Sequence, residues 1–200
     1  MKYEKIDLFP TPILKISNVI SELQKNDILQ FIHNEKQVLF GTNGLVMSDG
    51  GISTYPIDDM ILDTIQNKIN SCSNLKNIIQ GHIESYCKHV GINIKKIDNS
   101  WISIQRIGSK LNKHIHGRSA VSGVFYIKKI NGQQNTFFYS PNPFVDFLDK
   151  QKMSTKYTEQ RIAVPCDVGD MLLFPSWLSH DNDVVESNDE RIILSFNTYA

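Results

Sequence analysis

The stretch HIHGRSAVSGVFYI, residues 114–127, joins two histidines to a run of β-branched and aromatic residues. Short β-prone runs separated by turn residues recur from Ile94 onward: NSWISIQRIG (99–108), NTFFYS (135–140), RIAVP (161–165), DMLLFPSW (170–177) and RIILSFNTYA (191–200). Six or more such strands in about a hundred residues are typical of an antiparallel jelly roll or a similar barrel. We therefore expect residues from about 94 to 200 to form a β-barrel core.

The first part of the chain, about 1–93, shows mainly helical periodicity. After an opening strand near Leu8 to Ile16, apolar residues recur at helix-like spacing in three segments, about 21–36, 57–69 and 75–90. The Gly-, Ser- and Asp-rich stretch 41–56 predicts a loop or a weak hairpin. We expect the helices to support one sheet, which gives a mainly β fold with N-terminal supporting helices in a single domain, 1–200.

Bulk composition excludes several classes of protein. The 200 residues include 21 basic and 21 acidic side chains, so the net formal charge is zero and no whole-molecule field attracts nucleic acid or an anionic membrane. No apolar run is long enough for a membrane span or a signal peptide. Three cysteines without paired spacing indicate free thiols in a reducing compartment. We expect a soluble, cytoplasmic protein and leave a homo-oligomer open.

Three histidines are candidates for one metal site. His114 and His116 are two residues apart at the start of a strand, which points both imidazoles to the same face. His180 follows an apolar strand and a proline turn, where the chain can fold back beside the pair. Three neutral imidazoles can bind one face of a transition metal and leave the opposite positions open. An isolated HxH pair is more often a solvated surface pair, so this spacing permits the site without establishing it.

The last strand carries a polar, cationic stripe. Strand alternation places Arg191, Ile193, Ser195 and Asn197 on one face and apolar residues on the other. The alternative is a strand with one wet face, which alternates in the same way. A guanidinium that faces a pocket is suited to bidentate binding of a carboxylate.

These segments together resemble a known family. DLFPTPIL (7–14), Trp101, HIHGRSAVSGVFYI, GDMLLFPSWLSH (169–180) and RIILSFN (191–197) are similar to the 2-oxoglutarate- and Fe(II)-dependent oxygenases of marine bacteria and their phages. The resemblance covers most of the chain and is strongest from Trp101 to Asn197. It implies a double-stranded β-helix, which is a cupin-like jelly-roll barrel, and places the protein in the host cytoplasm if a phage encodes it.

The resemblance also implies a metal centre and its chemistry. His114 and His180 match the two histidines of the wider superfamily's metal triad, whereas His116 stands where that superfamily more often has Asp or Glu. Fe(II) would be bound by these three residues, and 2-oxoglutarate would chelate the iron. The implied reaction uses O2, converts 2-oxoglutarate to succinate and CO2, and hydroxylates a substrate, with ascorbate as an optional reductant.

Three further residues are expected to bind 2-oxoglutarate. Arg191 matches the basic residue that pairs with the far carboxylate of the co-substrate. Tyr126 is expected to donate its phenol to the same carboxylate, with a buried core tyrosine as the alternative. Ser195 would add a hydroxyl from the same strand face. Trp177 and the loop 140–157 are expected near the mouth, where a small-molecule or peptidyl substrate would enter.

Two other functions remain open at this point. A cupin-type metal dioxygenase or isomerase also uses HxH and a later histidine, but cupins usually add a Glu shortly after the pair. Residues 117–120 contain no acid, and the cupin pattern does not explain Arg191. The second alternative is a non-catalytic jelly-roll binding protein in which the histidines are structural.

Overall fold

The computed structural model describes residues 2–40, 45–46, 50–55, 57–129, 135–145 and 155–200. The strands in these residues are β1 (Leu14–Ile16), β2 (Leu45–Val46), β3 (Ile52–Ser53), β4 (Ile97–Gln105), β5 (Val121–Lys128), β6 (Thr136–Tyr139), β7 (Arg161–Val164), β8 (Met171–Pro175), β9 (His180–Asn182) and β10 (Arg191–Thr198). The helices are α1 (Glu22–Asn34), α2 (Lys36–Phe40), α3 (Ile61–Lys68) and α4 (Leu75–Val90), with a 3-10 turn at Asn70–Cys72. In this part of the chain, no helix is both long enough and apolar enough to cross a membrane.

Local sequence signals set the ends of the main helices. Ser21 and Gln24 form a capping box, in which the Ser21 hydroxyl accepts from the Gln24 amide and the Gln24 side chain accepts from the Ser21 amide. The last turn of α4 is followed by Gly91 with φ of 75°, a left-handed conformation that glycine adopts without steric cost.

The strands form two antiparallel sheets. The major sheet has the order β1-β8-β5-β10-β4-β3-β2, and the minor sheet has the order β7-β6-β9. Phe138 of the minor sheet packs with Val124, Leu172 and Ile193 of the major sheet in one apolar cluster. The opposite face of the major sheet packs against the helices in a second, larger cluster. The fold is therefore layered, with helices, major sheet and minor sheet in that order.

β10 divides the two apolar layers by strict alternation. Ile192, Leu194 and Phe196 belong to the helix-side cluster, whereas Ile193 belongs to the cluster under the minor sheet. Every residue of β10 is buried, so the alternative of a wet strand face is wrong. The polar residues of this strand, Arg191 included, consequently face the protein interior.

Gly123 on β5 allows β10 to pack closely beside it. A Cβ atom added to Gly123 would lie 2.1 Å from Cζ of Phe196, so the phenyl ring occupies the space that a side chain would need. The register places these two residues directly opposite each other. The absence of a side chain at Gly123 thus lets a large aromatic ring fill the core at the centre of the sheet.

The mainly β fold with supporting helices agrees with the prediction, but two element boundaries differ. The opening strand begins at Leu14 rather than near Leu8, since Pro10 and Pro12 have no amide hydrogen for a sheet. α3 begins at Ile61 rather than at Ile57. The Asp58 carboxylate accepts from the Met60 amide at 3.0 Å and holds the preceding residues in a turn. The predicted weak hairpin is present as β2 and β3, whereas residues 41–44 and 47–49 lie outside the described residues.

Candidate metal and co-substrate site

A cavity of about 390 Å³ lies between the two sheets. Its walls come from the polar faces of β4 and β10, from the first residue of β6 and all three residues of β9 in the minor sheet, and from the segment before β5. The three predicted histidines, Arg191 and Ser195 all line it. The fold therefore brings together residues that are distant in sequence, such as His116 and Asn197, which are 81 positions apart.

Backbone hydrogen bonds hold the three histidines in place. The His114 amide donates to the His180 carbonyl at 3.0 Å, and the His180 amide donates back to the His114 carbonyl at 3.1 Å. The His116 amide donates to the carbonyl of Ser176 at 2.9 Å. Backbone hydrogen bonds thus hold His114 beside His180 and His116 beside Ser176, without a contribution from a metal.

The three imidazoles converge on one point. One ring nitrogen from each of His114, His116 and His180 lies within 4.8 Å of the other two. An ion placed centrally among three atoms so spaced is at most about 2.8 Å from each, so shifts of under about 1 Å reach the ~2.1 Å metal–imidazole bond. Three imidazole nitrogens are ligands that suit iron, zinc, copper and nickel. The residues therefore fit a transition metal ion.

Backbone carbonyl groups determine which ring nitrogen of His114 and of His180 is available to the ion. Nδ1 of His114 lies 2.8 Å from the carbonyl oxygen of Asn112, and Nδ1 of His180 lies 2.9 Å from the carbonyl oxygen of Leu178. Since a carbonyl only accepts, each Nδ1 carries the hydrogen and donates it. The lone pair is then on Nε2, which is available to a metal.

Burial keeps the imidazoles of His116 and His180 in the neutral form that a metal requires. Burial, reinforced by the neighbouring His114, lowers the pKa of His180 to about 3 and that of His116 to about 4. Both rings are consequently unprotonated at neutral pH. No proton has to be displaced from them when an ion binds.

A chain of side chains supports His116. The Asn197 amide nitrogen faces Nδ1 of His116 at 3.5 Å, and Oδ1 of Asn197 accepts from the Ser122 hydroxyl at 2.7 Å. The Ser122 hydroxyl is also 2.8 Å from that of Ser176, whose backbone carbonyl accepts from the His116 amide. Both the backbone and the ring of His116 are therefore held by one buried polar group of residues.

Arg191 forms the deep end of the cavity. It is 1% exposed, and its Nη1 donates to Oε1 of Gln105 at 2.6 Å. Gln105 in turn donates to Oδ1 of Asn182 at 3.1 Å, and Thr136 lines the same region. Burial lowers the pKa of Arg191, because the charged form is the one that loses hydration. A carboxylate at this end would compensate that charge.

The register fixes the distance between this end and the metal ligands. Arg191 pairs with Gln105, Ser195 pairs with Trp101, and Asn197 is at the level of His116. Four residues of strand separate Arg191 from Ser195, which is about 13 Å. The route across the cavity is shorter, because Gln105, the partner of Arg191, also donates to Asn182, which is two residues or about 7 Å from His180 along β9. A dicarboxylate that chelates an ion at the histidines can therefore extend its other carboxylate towards the guanidinium.

The expectations for Tyr126, Trp177 and the loop 140–157 have different outcomes. Tyr126 is fully buried behind the lining residues, where its hydroxyl is 2.7 Å from the Thr136 hydroxyl, and Arg191 lies 5.3 Å from its ring. Trp177 is 54% exposed and does not line the cavity, whereas Trp101 does. Of the loop 140–157, residues 146–154 lie outside the described residues.

Sequence reasoning missed several lining residues. Gln105, which bonds to Arg191, shares the cavity with Thr136 and Asn182 only because of sheet register, for which the sequence has no local signal. Trp101 had such a signal. It alternates with Ile102 and Ile104, whose side chains belong to the helix-side core, so the odd-numbered positions of β4 must face the cavity.

Comparison with known proteins decides the family. Residues 99–197 match the family model described as "Putative 2OG-Fe(II) oxygenase". The chain carries a 2OG-Fe(II) oxygenase domain. The matched span contains the three histidines, Arg191, Tyr126 and Ser195. No curated protein matches this oxygenase by sequence.

Several solved structures share the fold at low sequence identity. HygX from Streptomyces hygroscopicus, solved with nickel, 2-oxoglutarate and hygromycin B, has a TM-score of 0.64 at 11% identity and covers 94% of this chain and 83% of its own. A Pseudomonas putida prolyl-4-hydroxylase has a TM-score of 0.56 at 12% identity, covering 97% and 96%. The epimerase SnoN of nogalamycin biosynthesis has a TM-score of 0.63 at 10% identity, covering 94% and 78%. These matches confirm the double-stranded β-helix fold of the oxygenase.

Proposed function

We propose that this oxygenase is a hydroxylase that binds Fe(II) through the imidazoles of His114, His116 and His180 and binds 2-oxoglutarate between the iron and Arg191. The observation that carries the proposal is the position of both elements in one cavity, with three convergent imidazoles near the minor-sheet edge and a buried guanidinium along β10. A metal-binding jelly roll without a co-substrate would have no use for a desolvated arginine at that position.

The residues of the chain bind and orient, and the cofactors supply the oxidation. When bound, Fe(II), 2-oxoglutarate and O2 provide the oxidising chemistry, in which the co-substrate becomes succinate and CO2. Arg191 would bind the far carboxylate bidentately, with Gln105 holding its other nitrogen. Tyr126 would fix Thr136 and stack beside Arg191, and the Ser195 hydroxyl would border the co-substrate nearer the iron.

The substrate is proposed to be a small molecule or a peptidyl group. Similar folds serve both kinds: HygX was solved with hygromycin B, and a prolyl hydroxylase of Trichoplax adhaerens was solved with a peptide fragment. We further propose that residues 1–200 act as one domain in a reducing cytoplasm. Support comes from the shared core of helices and major sheet and from three buried, free cysteines.

The test is a paired measurement of iron content and succinate formation. Protein purified without oxygen and loaded with Fe(II) should contain one iron per chain and convert 2-oxoglutarate to succinate. The His180→Ala variant should lose both, because it removes one of three ligands. The His89→Ala variant is the matched control, since His89 is exposed on α4 and outside the triad.

Either of two results would contradict the proposal. Wild-type protein that binds no iron, or that binds iron and forms no succinate under any condition, would favour the non-catalytic binding protein. Full iron occupancy in His180→Ala would remove that residue from the ligand set. Thermal unfolding of each variant shows whether a loss of iron comes from a loss of fold.

A further inference from the structure

We infer that the mouth of the cavity recognises an uncharged, flat ring carrying an N–H or O–H donor, through the ring of Trp101 and the amide of Asn99. This inference rests on the proposed function for the place of the iron, and it names the class of group that is brought to it. It draws on three separate features of the wall: an aromatic pair, an unsatisfied acceptor and the distribution of charge.

The aromatic pair is formed by Tyr55 and Trp101. Their rings meet edge to face with centroids 6.2 Å apart, and the Trp101 ring lies 6.0 Å from that of His116. Both residues line the cavity. An indole face held in this way offers a large apolar surface at low conformational cost, which favours a flat or ring-shaped ligand. A ring seated on Trp101 would lie directly beside a metal ligand.

The unsatisfied acceptor is Oδ1 of Asn99. Among the described residues, no donor lies within hydrogen-bond distance of this oxygen, which is shielded from water although the Asn99 amide lines the cavity. A buried acceptor without a partner is costly, and native structures rarely keep one without a reason. Rotation about the soft terminal torsion turns the oxygen to the cavity without moving the backbone. A ligand N–H or O–H would then satisfy it.

Asn99 also lies at the same level of the cavity as the histidines. It pairs directly with Asn197 across β4 and β10, and Asn197 faces the ring of His116. Trp101 is two residues further along the same face of β4. A ligand that contacts both Asn99 and Trp101 therefore has its ring edge at the level of the histidines, which is where a reacting carbon must be.

The charges of the wall exclude ionic groups. Of the described residues that line the cavity, only Asp181 and Arg191 carry a formal charge. Asp181 is already bound by Arg161, through two nitrogens at 2.6 and 3.0 Å, and by the Tyr139 hydroxyl at 2.7 Å. Arg191 is assigned to the co-substrate. Where the metal is absent, or its charge is balanced by the bound 2-oxoglutarate, a charged group placed at Asn99 and Trp101 would lose hydration without an opposite charge to replace it.

The test uses four probes of nearly equal shape and different charge. Benzamide is neutral with N–H donors, N,N-dimethylbenzamide is neutral without them, benzoate is an anion and benzamidine is a cation. The chain has two tryptophans, so the Trp177→Phe variant leaves Trp101 as the sole fluorescent indole. Each probe is titrated into this variant loaded with Ni(II) and 2-oxoglutarate, which keeps Arg191 occupied, and in parallel into the metal-free protein.

We expect benzamide to bind at least about 10-fold more tightly than benzoate or benzamidine, because desolvated charges are unfavourable there. It should bind about 2- to 10-fold more tightly than N,N-dimethylbenzamide, the range for one neutral hydrogen bond. The Asn99→Leu variant should abolish the second preference. The isosteric Asn99→Asp variant should shift the first preference towards benzamidine. Asn67→Leu, an exposed substitution on α3, is the matched control and should change neither ratio.

Three results would overturn the inference: no response of Trp101 to any probe, binding of an ionic probe within twofold of benzamide, or an unchanged benzamide preference in Asn99→Leu. Failure of the protein to bind Ni(II) or 2-oxoglutarate would count against the proposed function instead. The titration of the metal-free protein still reports on the Trp101 and Asn99 subsite in that case, so the two failures are distinguishable.

Discussion

Replacement of Arg191 by methionine tests the co-substrate site most directly. Methionine has a similar length and fills the same buried volume, so the change removes the charge and its hydrogen bonds while leaving the packing of β10 largely in place. Truncating one partner of a buried, hydrogen-bonded charge pair costs roughly 2–5 kcal/mol. At 1.4 kcal/mol per factor of ten, the affinity for 2-oxoglutarate should fall by about 30-fold or more.

The iron site should not change in this variant. Arg191 is about 13 Å along β10 from Ser195, and the side-chain hydrogen bonds of the three histidines involve other residues. Calorimetric titration of 2-oxoglutarate into Ni(II)-loaded protein measures the first effect, and Ni(II) titration measures the second. Arg106→Met is the matched control, because Arg106 makes a partly exposed ion pair with Glu190, and such pairs contribute little.

The Arg191→Lys variant separates charge from geometry. Lysine keeps the positive charge but lacks the planar fork that binds a carboxylate bidentately, so its affinity should lie between those of wild type and Arg191→Met. Unchanged affinity for 2-oxoglutarate in Arg191→Met, with the metal site intact, would refute the assignment of Arg191 and leave the cavity without a co-substrate anchor.

Three other predictions concern the metal ligands and the core. Asn197→Leu should weaken Co(II) binding by about 10- to 100-fold without unfolding the protein, as measured by titration, because it removes the polar partner of His116. Metal-free protein should lose stability as the pH falls from about 6.5 towards 4. The folded pKa values of His116, about 4, and His180, about 3, lie below the unfolded value, so the unfolded chain binds more protons in that window. The slope should be about 1.4 kcal/mol per pH unit for each histidine, and urea unfolding at several pH values with a chelator present checks it. Gly123→Ala should destabilise the protein by about 1–3 kcal/mol, since the new methyl group overlaps the ring of Phe196, and a denaturation midpoint equal to that of wild type would contradict this packing.

Features that depend on local pattern could be predicted from the sequence. The period-2 alternation of β10 predicted which residues share a face, and the capping box and Gly91 fit the ends of two helices. The convergence of the three histidines followed from spacing and from family resemblance together. Their use as metal ligands, and the roles of Arg191, Tyr126 and Ser195, stay predictions until the variants are measured.

Features that depend on pairing between distant segments could not be predicted. Thr136 and Asn182 reach the deep end of the cavity because β6 and β9 pair in one particular register, which a one-residue slip would reverse. Trp177 is near His180 in sequence, yet it lies in a turn and points outward. Proximity along the chain was therefore a poorer guide to the cavity wall than the alternation of side chains along a strand, which correctly places Trp101 in the wall.

The two backbone hydrogen bonds between His114 and His180 join a segment that leads into the major sheet to the edge strand of the minor sheet. An ion bound to the triad would link the same two segments through metal–ligand bonds. Metal binding would therefore stabilise the contact between the two sheets, and that contact would in turn favour metal binding. An ion present at 100 times its dissociation constant would add about 2.7 kcal/mol to the free energy of unfolding. Amide hydrogens of β6, β7 and β9 should then exchange more slowly in the metal-loaded enzyme, because the bound ion would make the minor sheet more rigid.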